Sequence, residues 1–222
     1  MIFQEIESDS SMRWHIVEIF RDLTSEVTEN LDNIALVGGH IFEPELKVLE
    51  YKGLTHYGVE FDPRVETELF DLNIPQSIDK SYDLVLCSQV LEHVYDVKQA
   101  IENLAKLVRK GGYLWIACPA SNYAHGSPEY FSAGYTPELI TNLLPTEDFE
   151  IILAEKYGSE RMYFFTHTLQ RWPTQTEYNF PLRFRFSRYY FRDLFWRIIA
   201  LSKSPKFNSE LHHATETVVF TR

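Results

Sequence analysis

Gly38-Gly39, closing the apolar run Ile34-Ala35-Leu36-Val37, and Glu60, near the end of the run Thr55 to Phe61, have the types and spacing of ligand-binding residues. Glycines that follow the first strand of a parallel sheet let backbone come close to a ligand, and an acid ending the second strand can accept hydrogen bonds from both hydroxyls of a ribose. Together they suit a nucleotide-like cofactor lying across the carboxyl ends of the strands. A glycine pair is also a common structural turn, so this signal needs a sheet around it.

The sheet is read most clearly in Ser81 to Pro119. Asp83 to Cys87 and Tyr113 to Cys118 are short apolar runs suited to strands covered on both faces. Between them Asp96 can cap a helix, with Gln99 three positions on as the other half of a capping box. Val97, Ala100, Ile101, Leu104, Leu107 and Val108 recur at helical spacing. Arg109 and Lys110 favour the negative end of that helix, and Gly111 can take the left-handed conformation that stops it. Upstream, Met12, Ile16, Ile19, Phe20, Leu23 and Val27 predict an N-terminal helix over 10–29. Pro44 predicts a second helix running to about Lys52, stopped by Gly53. Thr136-Pro137-Glu138 starts another helix, Phe149 to Glu155 is a further strand, and Glu216 to Thr221 is the last.

Val37-Gly38-Gly39, Tyr57-Gly58-Val59-Glu60, Asp71-Leu72 with Pro75, Tyr82-Asp83-Leu84-Val85 through Leu91-Glu92-His93-Val94, and Arg109-Lys110-Gly111-Gly112 together resemble the class I S-adenosylmethionine-dependent methyltransferases, most closely their type 11 branch. The segment His125 to Tyr130, followed by Tyr135-Thr136-Pro137-Glu138, is similar to one that covers the active site in that branch. The resemblance spans about residues 33 to 158. It implies an α/β fold: a Rossmann-like, doubly wound, mostly parallel seven-stranded sheet with helices on both faces. It implies S-adenosylmethionine as cofactor, with Gly38 and Gly39 near its methionine part and Glu60 on the ribose. Asp71 and Leu72 would meet the adenine, and Ser88 and Gln89 would lie near the sulfonium and amino-acid end. The implied activity is methyl transfer to oxygen, nitrogen or carbon of a small-molecule acceptor, with sugars and secondary metabolites both conceivable. A base is needed only where the acceptor must lose a proton, and His93 and His125 are the candidates because imidazole titrates near neutrality.

Two features depart from the family pattern. An acidic residue normally stands two positions before the first glycine and further glycines follow it; here Leu36, His40 and Phe42 occupy those places. A non-catalytic, methyltransferase-like binding or assembly module is therefore the alternative. The second departure is a long aromatic and basic insertion at about 162–209. Its residues 183–206 hold seven Arg or Lys and one Asp, so this piece carries +6 and the remainder −17. Arg185, Arg188 and Arg192 share a helical stripe. The stripe reads as a packed helix with acidic neighbours, a lid, a homodimer surface, or a patch for an anionic substrate or membrane headgroups.

Composition sets the remaining bounds. At 222 residues, 45% hydrophobic, with no Pro/Gly/Ser-rich linker, the chain is expected to form one domain with additions over 1–222. Its net charge of −11 argues against general nucleic-acid binding. With neither a signal-peptide pattern nor an apolar span of about 20 residues, a soluble cytoplasmic protein without an integral membrane segment is expected. Cys87 and Cys118 read as reduced, buried thiols. His212-His213 lacks supporting ligand spacing, so no metal is expected.

Overall fold

The strands Leu31–Val37, Tyr51–Gly58 and Tyr82–Ser88 run parallel and bring their carboxyl ends to one edge of a sheet. The computed structural model describes residues 11–27, 31–39, 41, 43–60, 66–122, 129–145, 147–158 and 216–222. Within these, α1 (Ser11–Val27) precedes β1 (Leu31–Val37), β2 (Tyr51–Gly58), the two-residue β3 (Glu68–Leu69) and β4 (Tyr82–Ser88). Next come α2 (Val97–Leu107), β5 (Val108–Pro119), α3 (Pro137–Leu143), β6 (Ile151–Tyr157) and β7 (Glu216–Thr221). The seven strands form one sheet in the order β3-β2-β1-β4-β5-β7-β6. Pairings among β1 to β5 are parallel, and β7 runs antiparallel to both β5 and β6. The expected Rossmann-like α/β sheet is thus the observed one. His125, the insertion at about 162–209 with the basic helix expected in it, and His212-His213 lie outside the described residues.

Both faces are covered. Residues Ile34 to Val37, Leu84 to Cys87 and Leu114 to Cys118 are buried without interruption, which alternate-face exposure would forbid. On one face α1 sets Ile16 and Phe20 against Leu36, Leu86, Trp115 and Phe220. On the other, α2 and α3 pack Ala100, Ile101, Leu104, Leu107 and Ile140 against Val37, Val85, Cys87 and Ile116. Cys87 and Cys118 are free and buried, and burial pushes both thiols well up, so neither is a ready nucleophile. Among the described residues no helix is long and apolar enough to cross a membrane.

Three local expectations are corrected. The helix expected from Pro44 to Lys52 is a single 3-10 turn, Pro44–Val48, because β1 begins at Leu31 and pairs with Tyr51, drawing residues 51–53 into β2. Gly53 is a strand residue lying against Asn33: a Cβ there would stand 2.6 Å from Asn33 Oδ1. Second, α2 ends at Leu107, and Arg109 to Gly112 form an irregular opening of β5 where the register with β4 shifts. Gly111 does have φ +71°, but in this bulge; Arg109 pairs with Asp83 instead of capping the helix. Third, only half of the capping box forms. Asp96 Oδ1 accepts from the Gln99 N–H at 3.0 Å, whereas the Gln99 side chain donates to Asn103 and the Asp96 N–H to Asn73.

Asp83 ties the opposite edge of the sheet. Its carboxylate accepts from the Asp32 N–H at 2.9 Å, the Asn33 N–H at 2.8 Å and the Arg109 guanidinium, joining the beginnings of β1, β4 and β5.

Candidate active site

The turn after β1 is built from two consecutive left-handed residues, Gly38 at φ +66° and Gly39 at φ +62°. Only glycine adopts this without strain. A Cβ on Gly38 would lie 2.7 Å from Val90, so the missing side chain of this glycine admits Val90 from the loop after β4. Gly39 is the exposed member, with Glu43 Oε1 3.0 Å from where its Cβ would be. The turn is also bonded from β2. The Gly38 N–H donates to the Tyr57 carbonyl at 2.8 Å, and His56 Nε2 donates to the Gly38 carbonyl at 3.3 Å. That carbonyl can only accept, which makes Nε2 the protonated nitrogen; in the neutral ring Nδ1 then accepts from the Thr67 hydroxyl at 3.0 Å.

β4 ends beside this turn. Ser88 is buried, and its hydroxyl donates to Glu45 Oε1 at 2.8 Å. Gln89 has φ +55°, a conformation disfavoured for a residue with a Cβ, and strain of this kind concentrates at ligand sites. It is held by its N–H to the Ala117 carbonyl at 2.7 Å and by its side-chain amide to Glu216 at 2.9 Å. Glu60 lies exposed in the bend just past β2, on the same edge.

Asp71 and Leu72 occupy the next loop along the edge. Asp71 Oδ1 accepts from the Asn73 N–H at 2.8 Å and its side-chain amide at 3.1 Å, a local Asx-type turn. The Leu72 side chain is 5% exposed and packs into the α2-side core, so its backbone is the part nearest the edge. Asn103, fully buried on α2, fastens this loop. Its amide donates to the carbonyls of Leu72 at 3.2 Å and Ile74 at 2.8 Å, while its oxygen accepts from the Gln76 N–H at 3.3 Å.

His93 closes the short 3-10 turn Leu91–His93, four residues beyond Gln89. Its Nδ1 bonds the Glu129 carbonyl, and its ring meets Tyr130 edge-on with centroids 6.3 Å apart. Tyr95 and Phe131, 64% and 52% exposed, form a second edge-on pair at 5.7 Å, extending an aromatic rim along this loop. The rim is anchored from below. The Glu92 carbonyl accepts from the Phe131 and Ser132 N–H groups, and Tyr135 OH donates to the Leu91 carbonyl. Burial, with the Glu92 carboxylate adding to it, pushes the Tyr130 hydroxyl up, so it stays protonated and can donate.

Gly38, Gly39, Ser88 and Gln89 are thus brought together at the ends of β1 and β4, with Asp71 and Glu60 on loops of the same edge. Glu45, Glu216, His56 and Asn103 are further residues of this edge that sequence reasoning missed. Asn103 alone carried a signal, a polar residue at helical spacing among Ala100, Leu104 and Leu107. Glu43, Glu45, Glu60 and Glu216 put four carboxyl groups at this edge, a set of acceptors that suits a ligand with a positive centre better than a pyrophosphate. The residues present therefore fit a sulfonium cofactor. Among the described residues no three His, Cys, Asp or Glu side chains are grouped to hold a metal ion.

Comparison with known proteins agrees with this geometry. A family model described as a methyltransferase domain matches residues 37–198. Two curated relatives are ubiquinone biosynthesis O-methyltransferases. The one from Hydrogenovibrio crunogenus is 34% identical over 70 residues, 32% of this chain and 27% of that protein. The one from Marinobacter nauticus is 29% identical over 119 residues, 51% and 48% respectively. The chain thus matches about half or less of the length of these relatives. Among solved structures, the N-methyltransferase NodS from Bradyrhizobium japonicum, in complex with S-adenosyl-L-homocysteine, shares the fold with a TM-score of 0.52 at 19% identity, over 68% of this chain and 82% of that one. With the glycine turn, the parallel core and the β7 reversal in place, the chain belongs to the methyltransferase-domain family.

Proposed function

We propose that this protein transfers a methyl group from S-adenosylmethionine to a hydroxyl oxygen of a small acceptor with an apolar or aromatic body, and that His93 is the general base. The bound cofactor supplies a methyl group already activated by positive sulfur, so the protein's task is placement and removal of the acceptor proton. His93 suits the second task. With Nδ1–H donated to the Glu129 carbonyl, the basic lone pair of the imidazole belongs to Nε2, and the backbone contact fixes the ring's direction. Tyr130, packed against His93, and the exposed Tyr95–Phe131 pair supply flat apolar surface for an acceptor ring. This oriented imidazole on an aromatic rim carries the reading, and the names of the two curated relatives favour oxygen over nitrogen or carbon.

The cofactor would lie with its methionine end at Gly39, Ser88 and Gln89, its ribose at Glu60 and its adenine at the Asp71-Leu72 loop. The negative crevice and a net charge of −11 favour a small acceptor over nucleic acid, and a cytoplasmic setting accords with the free thiols.

Incubation with methyl-labelled S-adenosylmethionine and separate panels of phenols, sugars and amines tests the acceptor class. Label is expected in O-methyl products of the phenol panel. Label confined to sugars or to nitrogen products would overturn the aromatic-hydroxyl reading. Glu60→Ala is expected to weaken S-adenosylmethionine about tenfold by calorimetry, through loss of charge-assisted bonds to the ribose, with the melting temperature of the ligand-free protein unchanged. Undiminished affinity would take Glu60 out of the site.

A further inference from the structure

The loop between β3 and β4 turns through Asp71, whose Oδ1 accepts the Asn73 N–H at 2.8 Å, and that bond alone closes an Asx turn. The Asn73 side chain reaches further. Its amide nitrogen donates to the same Asp71 oxygen at 3.1 Å, while its oxygen accepts from the Tyr95 N–H at 2.9 Å and the Asp96 N–H at 3.2 Å. One short side chain thus joins two loops 22 residues apart. The capping box at Asp96 stays open for this reason: Gln99 is held by Asn103, and Asn73 accepts the N–H that Gln99 would have taken.

The two loops serve different halves of the site. Asp71 is half-buried and begins the stretch assigned to the adenine; with Oδ1 held by Asn73, its Oδ2 has no partner among the described residues and is the oxygen left for a ligand. Tyr95 carries one ring of the exposed pair with Phe131, and Asn73 holds its backbone. Only an amide suits both contacts. A carboxylate has no proton for Asp71, and an ammonium has no acceptor for the two N–H groups.

We propose that Asn73 is a positioning residue shared by both halves of the site: it presents the Asp71 carboxylate to the cofactor and holds the Tyr95 backbone of the acceptor rim, so that filling the cofactor site steadies the rim. The proposal rests on the cofactor placement given above. Groups fixed before a ligand arrives lose less freedom on binding, which strengthens binding without a new contact.

Calorimetric titration of the full chain with S-adenosylhomocysteine, paired with hydrogen exchange at the Tyr95 and Asp96 amides, tests this. In the parent protein, saturating S-adenosylhomocysteine is expected to slow exchange at both amides by about threefold or more. Asn73→Asp keeps an acceptor for the two N–H groups but sets a like charge against Asp71. It is expected to weaken S-adenosylhomocysteine by about fivefold or more, with exchange in the ligand-free protein within about twofold of the parent. Asn73→Ala removes both contacts, so affinity should fall by about three- to tenfold, ligand-free exchange at the two amides should quicken, and the ligand should no longer slow it. A merely structural role would instead lower the melting temperature and move both readouts together in both variants, which overturns the proposal. Undiminished affinity in either variant, protection that persists in Asn73→Ala, or protection absent from the parent also overturns it. Should Asn73→Ala not fold, Asn73→Asp decides by its split between affinity and exchange. Failure of the parent protein to bind S-adenosylhomocysteine at all refutes the cofactor placement, and the proposal with it.

Discussion

Replacing His93 by asparagine is expected to lower turnover by about 10²–10³-fold, within the range that a positioned general base contributes. Asparagine can still donate to the Glu129 carbonyl, so the loop after β4 keeps its anchor, but it has no basic nitrogen to take the acceptor proton. The loss should therefore appear in kcat, with S-adenosylmethionine affinity within about twofold of the parent protein. That split separates chemistry from binding. The residues proposed to meet the cofactor, Gly39, Ser88 and Gln89, lie at the strand ends, whereas His93 stands beyond them on the rim with Tyr130. Steady-state kinetics with a phenolic acceptor, paired with calorimetric titration of the cofactor, measure both quantities. A fall in turnover below about threefold would remove His93 as the base and leave His125 as the imidazole to test. A parallel fall in affinity would mark His93 as part of the cofactor site.

The second large effect concerns stability. Asp83→Ala is expected to destabilise the fold by about 3 kcal/mol near neutral pH, since one substitution leaves the Asp32 and Asn33 N–H groups and the Arg109 guanidinium without their shared acceptor. For a chain of this size that corresponds to a drop in melting temperature of about 6–12 °C. Burial alone would raise the Asp83 carboxyl. The Asn33 N–H, the Arg109 guanidinium and the Asp32 N–H outweigh it and hold the group below its ordinary value. A carboxyl depressed on folding stabilises above its unfolded pKa of about 3.9, and that contribution is lost as pH falls through the lower folded value. The difference between the parent protein and Asp83→Ala should accordingly be full at neutral pH and shrink below about pH 4. Chemical denaturation at pH 7 and at the lowest pH where both proteins remain folded measures it. A difference that does not change with pH would show that packing, not the ionised carboxylate, holds the three strands together.

Asp83 and Arg109 also show where local reading of the sequence goes astray. Arg109 follows a helix that ends in apolar residues, and a basic residue there is ordinarily a partner for the helix end. The structure gives it to a carboxylate on the adjoining strand, because β5 begins as soon as α2 stops. Pro44 likewise announces a helix, and one forms. It is cut short because pairing with Leu31 draws Tyr51 into β2, so the long-range ladder overrides local propensity. The cap at Asp96 formed as expected, while Asn73, which no local rule connects to Asp96, replaced Gln99 in the reciprocal bond.

The sequence alone determined a parallel α/β sheet with a glycine turn after β1, for a physical reason: uninterrupted apolar runs, helical periodicity, caps and left-handed glycines act over a few residues. What completes the edge acts over much longer separations. Glu45 meets Ser88 across 43 residues and Gln89 meets Glu216 across 127, contacts that exist only once strand order and register are set. The sequence shows an acid missing at Leu36; only the folded sheet brings Glu45 to Ser88 at the end of β4.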